Sequence, residues 1–219
     1  MEEIIDLHLD FYHSIKENDE VISTLRKENI KILDGFIRNI DLVRRYYQTV
    51  YQTNRDRIVL CGFNPGKLGA GKTGVPFLDF KSISQIFSDV RLNDQERSAQ
   101  YMWSVINKIG IYKFYKNIYI TNISWFGFTK EGNNLNYYQL PRNIRNLFTY
   151  SFIEEMKIVQ PKVMIPLGRE VESTLQTMVR SGDLTYPIAT RLPHPFFSSI
   201  GSNTSSCMKD YLDTINFYL

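Results

Sequence analysis

Cysteine is scarce in this 219-residue chain: Cys61 and Cys207 are the only two. They could form at most one disulfide and cannot build a four-thiolate zinc site or an iron–sulfur cluster. Both read as reduced core thiols. Histidine is nearly as rare, with His8, His13 and His194 scattered along the chain at no metal-ligand spacing, so metal-assisted hydrolysis has no ligand set. No bound metal or other cofactor is expected. There is no Gly-x-Ser-x-Gly, which removes the common serine-hydrolase signature. No apolar run approaches the 18 residues of a membrane span. The opening residues, Met1 to Asp6, are acidic where a secretory leader is basic. The expectation is a soluble cytoplasmic protein with no membrane partner.

What is present is an ordinary globular composition, 43% hydrophobic and 22% charged, with aromatics at 14%. The net charge of +3 says little as a sum. Its distribution says more. Residues 1–56 carry 8 basic and 11 acidic side chains, 57–150 carry 12 and 5, and 151–219 carry 6 and 7. All the positive excess lies in the middle, which is either a solvated face or a surface for a polyanion.

Residues 4–17 place Ile4, Ile5, Leu7, Phe11, Tyr12 and Ile15 on one face of an amphipathic helix. On it, His8 and His13 read as structural. A second helix is expected over 30–52. The short apolar run Ile58–Gly62 reads as a buried strand, with similar runs at 117–123 and 162–167 and a weaker one at 186–191. Helix-compatible stretches at 94–109, 148–159 and 169–180 separate them, and a last helix is expected over 207–218. Strands alternating with helices predict one α/β domain over 1–219, its central, mostly parallel four-stranded sheet covered by helices on both faces. Residues 1–56 form a helical extension packed on that domain.

In such sheets, ligands bind beyond the carboxyl ends of the strands. Those ends carry Gly62-Phe63-Asn64-Pro65-Gly66, Asn122-Ile123-Ser124-Trp125 and Pro193-His194-Pro195-Phe196-Phe197. These three loops are the candidate site. Residues 66–73 also match the phosphate-loop pattern G-x-x-x-x-G-K-[ST]. That motif needs a helix of several turns beginning at its Lys-Thr pair, whereas Gly74, Val75 and Pro76 follow here. A proline there has no amide to give and clashes with the preceding turn. A nucleotide-binding protein remains the alternative.

Taken as one long loop, Gly62-Phe63-Asn64-Pro65-Gly66-Lys67-Leu68-Gly69-Ala70-Gly71-Lys72-Thr73-Gly74-Val75-Pro76-Phe77 resembles the first active-site motif of the single-strand-selective monofunctional uracil-DNA glycosylases. It is most similar to their bacterial branch, whose loop also carries Gly-Ala-Gly before Thr-Gly. His194-Pro195 resembles the second family motif, and Asn122 stands where the family has an asparagine at a strand end. The resemblance spans roughly residues 57–200.

It implies a DNA repair glycosylase of the base-excision class, hydrolysing the bond between uracil, or a related oxidised or deaminated base, and deoxyribose. The base is flipped out of the DNA stack, and an abasic site is left. Its partner would be single- or double-stranded DNA, met by a monomer that associates with the nucleoid when acting. The catalytic pair would be Asn64, holding a water, and His194, donating to the uracil carbonyl as the ring takes up negative charge. Gly62, Phe63, Gly66, Phe77 and Asn122 would bind the base. Phe77 would stack on the ring, and Asn122 would offer one donor and one acceptor to an edge that cytosine presents reversed. Lys67 and Lys72 would approach phosphates, with Pro195, Phe196, Phe197 and Ser198 against the DNA. Gly66 lies where the highly active uracil-specific relatives place a bulky aromatic, so selectivity has to arise elsewhere. A catalytically inactive DNA-binding module with the same pocket is the other open reading.

Overall fold

The computed structural model describes residues 1–51 and 57–219. In chain order its elements are α1 (Glu2–Glu17), α2 (Asp19–Lys27), β1 (Ile30–Ile32), α3 (Gly35–Arg38), α4 (Ile40–Val50), β2 (Ile58–Gly62), α5 (Ala70–Thr73), α6 (Phe80–Ser84), α7 (Arg97–Ile109) and α8 (Ile111–Asn117). They continue with β3 (Ile118–Asn122), β4 (Phe128–Lys130), β5 (Asn133–Leu135), a 3₁₀ turn (Tyr137–Gln139), α9 (Arg142–Val159), β6 (Val163–Pro166), α10 (Arg169–Ser181), α11 (Pro195–Ser198) and α12 (Asn203–Tyr218).

The central sheet is parallel, in the order β3-β2-β6, with Gly62 opposite Asn122 and Leu60 opposite Ile165. Every residue of all three strands is buried. Because successive side chains alternate between faces, both faces are covered. Predominantly apolar runs are what such strands require, which is why these were readable as strands.

The expected fourth strand is present only as two isolated parallel bridges, Met164 with Ile188 and Leu167 with Leu192. Proline explains the gap. Met164 donates to the Pro187 carbonyl and accepts from Ala189, both at 2.9 Å. Two residues on, Pro166 has no N–H for the next rung, and its carbonyl accepts from Leu192 at 2.9 Å. The register therefore slips by one residue between the two bridges.

The expected helix over 30–52 is corrected in its first part: Ile30–Ile32 form a strand, and the long helix begins only at Ile40. Its expected end at Gln52 lies outside the described residues. β1 pairs antiparallel with β4, and β4 with β5, in a small second sheet. The β4–β5 turn is the two-residue loop Glu131-Gly132, both with positive φ (51° and 79°), the geometry that suits the twist of a hairpin.

The amino-terminal helices are fastened to the core. Buried His8 bonds the buried Glu155 carboxyl at 3.2 Å and Ser151 at 3.1 Å and stacks on Trp125 at 4.0 Å. Tyr119 of β3 donates to the other Glu155 oxygen at 2.8 Å. The segment after β1 also grips the loop beyond β2. Asn39 donates to the Lys72 carbonyl at 2.8 Å, and a Cβ on Gly35 would lie 2.6 Å from the Lys72 carbonyl carbon.

Candidate active site

The carboxyl ends of β2 and β3 and the start of α11 enclose a cavity of about 290 Å³, bordered by Phe63, Asn64, Gly66, Phe77, Asn122 and His194. Its floor is a close approach. A Cβ on Gly62 would strike the Phe77 ring and lie 2.5 Å from Asn122 Oδ1. Only glycine lets the loop aromatic and the strand-end amide meet there.

Phe77 holds φ at 60°, a left-handed conformation that costs a bulky residue about 1–3 kcal/mol and persists only where its surroundings enforce it. Here they do. The buried Thr73 hydroxyl donates to the Leu78 carbonyl at 2.8 Å and accepts from the Val75 N–H at 3.1 Å. Buried Asp79 accepts from Ser82 N–H and hydroxyl at 2.8 and 2.7 Å, from Glu96 N–H at 2.8 Å and from Gln100 at 2.8 and 3.0 Å.

The orientation of Asn64 is dictated by its partners. Its Oδ1 accepts from Tyr137 N–H at 2.9 Å, and its Nδ2 donates to the Leu135 carbonyl at 3.2 Å. A backbone donor on one side and an acceptor on the other fix which amide atom is which. Oδ1 keeps a second lone pair. One partner ends β5 and the other opens the 3₁₀ turn just after it, so the small sheet and its exit set the working face of Asn64.

His194 caps α11: its Nδ1 accepts from Phe196 N–H at 3.2 Å. An accepting Nδ1 places the proton of a neutral ring on Nε2. Burial holds the imidazole at a pKa of about 4, so it is neutral at physiological pH. Its ring packs on Phe63, centroids 5.0 Å apart. Gly168, at φ 116°, leaves room for both, since a Cβ there would lie 3.3 Å from the Phe63 ring and 3.7 Å from His194 Cβ.

Most residues proposed for the base thus line one cavity, and the DNA-side residues divide. Phe196 and Phe197 stand 49% and 53% exposed on α11. Lys67 lies beside the pocket, its Nζ reaching the Gly132 carbonyl at 2.5 Å and its N–H the Asn134 side chain at 2.9 Å. Lys72 is paired with Asp94 at 2.6 Å, so its charge is already met. Ser198 is corrected: it is fully buried and donates to the His194 carbonyl at 3.2 Å, holding the turn rather than facing DNA. Pro195 is buried as the first residue of the same turn. Trp125 belongs to the core, stacked on His8.

Four polar residues of the cavity had no place in the sequence reading: Glu96, Ser98, Asn134 and Asn136. The capping box of Asn136 and Gln139 was legible as a turn, but nothing in it pointed to a pocket. Burial, reinforced by the nearby charge of Asp79, pushes the Glu96 carboxyl above its ordinary range.

The phosphate-loop match does not fold as one. Ala70–Thr73 make a single turn that ends at Gly74 with φ 77°, where that motif would continue for several turns.

A family model of the uracil DNA glycosylase superfamily matches residues 49–216. The chain belongs to that superfamily, and so is a hydrolase of the DNA-glycosylase type acting on DNA in base excision repair. Among solved structures it is similar to the crystal structure of wild-type SMUG2 of Pedobacter heparinus, with a TM-score of 0.72 and 25% identity over 86% of this chain and 88% of that one. No curated protein matches it. The α/β fold and the family resemblance expected from the loops are borne out. No helix among the described residues is long and apolar enough to cross a membrane.

Proposed function

We propose that the protein is a monofunctional uracil-DNA glycosylase that draws the flipped base into the cavity beside Phe77. The observation that supports this best is the convergence of three differently prepared groups on one cavity: an Asn64 of fixed orientation, Asn122, and a neutral His194 with its proton on Nε2. Stacked on Phe77, uracil would offer N3–H and O4 to the Asn122 amide and O2 to His194. As the glycosidic bond stretches, the ring gains negative charge, and the His194 N–H strengthens its bond to O2 where the charge collects.

The Gly62 and Phe63 carbonyls accept from Ile123 and Ser124 N–H at 2.9 and 3.0 Å. Planar trans peptides then turn the Phe63 and Asn64 N–H groups to the opposite side, where they can assist. Asn64 takes up no proton; its free lone pair holds a water toward the sugar carbon, which is electrophilic enough to need no full base. The polar lining of amides, His194, Ser98 and Glu96 supplies no amine nucleophile. Water is therefore the attacker, and the product is an intact strand with an abasic site. On the same reading the protein works as a monomer, wherever the cell keeps its DNA, in cytoplasm or nucleoid.

The test incubates the protein with single- and double-stranded oligonucleotides carrying one uracil, followed by alkali. Alkali-dependent cleavage above a thymine control is expected. DNA affinity without any alkali-labile site would leave a binding module instead, and cleavage before alkali would overturn the monofunctional reading.

A further inference from the structure

We propose that the amino-terminal helices and β1 add a second DNA groove beside the cavity, in which Arg26 of α2 and Lys31 of β1 hold phosphates of the strand leading away from the flipped nucleotide. The inference rests on the DNA reading above and goes beyond the cavity itself. A groove of about 510 Å³ opens on the small sheet, lined in part by Arg26, Asn29, Lys31, Thr129, Glu131 and Gly132. Arg26 and Lys31 are exposed and enter no ion pair among the described residues. The lining holds one carboxylate, Glu131, while the neighbouring Glu28 is already engaged by Lys130 at 3.3 Å. Two unpaired cations against one carboxylate suit a polyanion. Both cations lie outside residues 49–216, the part that the superfamily model matches.

The strand register joins this groove to the cavity. Lys31 stands opposite Thr129, and Thr129 opposite Asn134, so the three form one row on one face of the sheet. Leu33, two residues beyond Lys31 and on the same face, lies against Gly71, which turns that face toward the loop after β2. Asn134 lines the cavity, whereas Thr129 and Lys31 line the groove. Lys67 straddles the ridge between them, its Nζ bonded to the Gly132 carbonyl and its N–H to the Asn134 side chain. With strands about 4.8 Å apart, the row covers about 10 Å, or about three stacked nucleotides. A strand leaving the cavity therefore meets Lys67 first and then Lys31, with Arg26 alongside.

α2 carries basic residues in its last turn, where they also complement the helix dipole, so a plain structural role has to be separated from this one. That role changes stability, whereas the groove changes DNA binding in a manner that depends on strand length. The experiment reads fluorescence anisotropy of labelled single strands carrying one tetrahydrofuran abasic site: a five-nucleotide strand, and the same strand lengthened by six nucleotides on one flank or on the other. With the full chain, lengthening one flank should tighten binding at least about fivefold more than lengthening the other. The double variant Arg26→Gln, Lys31→Gln should lose most of that gain, and its slope of log affinity against log salt should flatten by about 0.7 for each contact removed. Its melting temperature and its uracil release from a five-nucleotide strand should stay at the wild-type values. Glu131→Asn, which removes the carboxylate and suits the positive φ of that turn, should tighten binding of the lengthened strand alone. Equal gains on both flanks, or a gain that the double variant retains, overturn the proposal while leaving uracil release intact. No uracil release by the wild-type chain, with the one-sided gain still lost in the double variant, overturns the functional reading and supports the groove.

Discussion

Two walls of the cavity are built on opposite principles. The wall from Gly62 to Phe77 is over-determined. Glycine contacts admit the Phe77 ring, a strained φ of 60° is enforced by Thr73 and Asp79, and the loop is gripped from outside by Asn39. The other wall, His194 and Phe196, sits on a single short turn whose capping bonds fix His194, while Phe196 and, beyond the lining, Phe197 and Ile200 stand in solvent. On the proposed function, rigidity lies where the base is read and the leaving group stabilised. On the proposed function, the exposed apolar surface is the side that meets the DNA.

The largest effect should come from removing the group proposed to hold the attacking water or the one proposed to stabilise the departing base. Asn64→Ala or His194→Ala should each slow single-turnover uracil release about 10²–10³-fold with little change in melting temperature. Unchanged rates in both would erase the distinction between the walls. Gly62→Ala comes next. Its Cβ must displace Phe77 and Asn122, and kcat/KM should drop about 10- to 100-fold, overpacking costing about 1–3 kcal/mol. A neutral result would show the rigid wall to be loose.

On the other wall, Phe196→Ala and Phe197→Ala should weaken binding of duplex DNA about tenfold, a base-sized apolar contact being worth about 1–3 kcal/mol. Single-turnover rates at saturating enzyme should move much less for Phe197, which lies outside the cavity lining. Equal losses in rate and affinity there would merge the two walls into one.

The smallest effect concerns pH. With His194 held at about 4 by burial, the activity should show no inflection from this group near 6.5, the ordinary value, and should lose its neutral donor only as pH falls toward 4. The unfolded chain binds the proton first, so the contribution of His194 to stability is full above about 6.5 and declines as pH falls from there toward 4. A pH–rate profile and urea midpoints at pH 5 and 7 measure the two separately.

The parallel strands were legible because burial on both faces favours mainly apolar runs, and β2 has the boundaries read from the sequence. The fourth strand was legible only as a tendency. Pairing depends on which amide faces which carbonyl, and Pro166 breaks that ladder from the neighbouring strand. The small sheet escaped notice because strands of three residues carry no periodicity. Yet Asn64 is held by Leu135 at the end of its hairpin and by Tyr137 of the turn that follows, about 70 residues away along the chain. Ser198 shows the reverse failure: its neighbour Phe197 stands in solvent, while its own side chain turns inward to the His194 carbonyl.

By itself the sequence determined the chemistry available: an asparagine, a second asparagine and a histidine at three strand ends, an aromatic in a glycine-rich loop, and too few cysteines for a cluster. These follow from residue type and local spacing, which a linear chain displays directly. Only the tertiary structure decided how each group is prepared. The Asn64 amide is oriented by a distant hairpin, the His194 ring is kept neutral by burial, Lys72 is drawn to Asp94, and Glu96 is laid over Gly66. Hydrogen-bond direction, desolvation and close approach are properties of neighbours in space, and most of these neighbours are far apart along the chain.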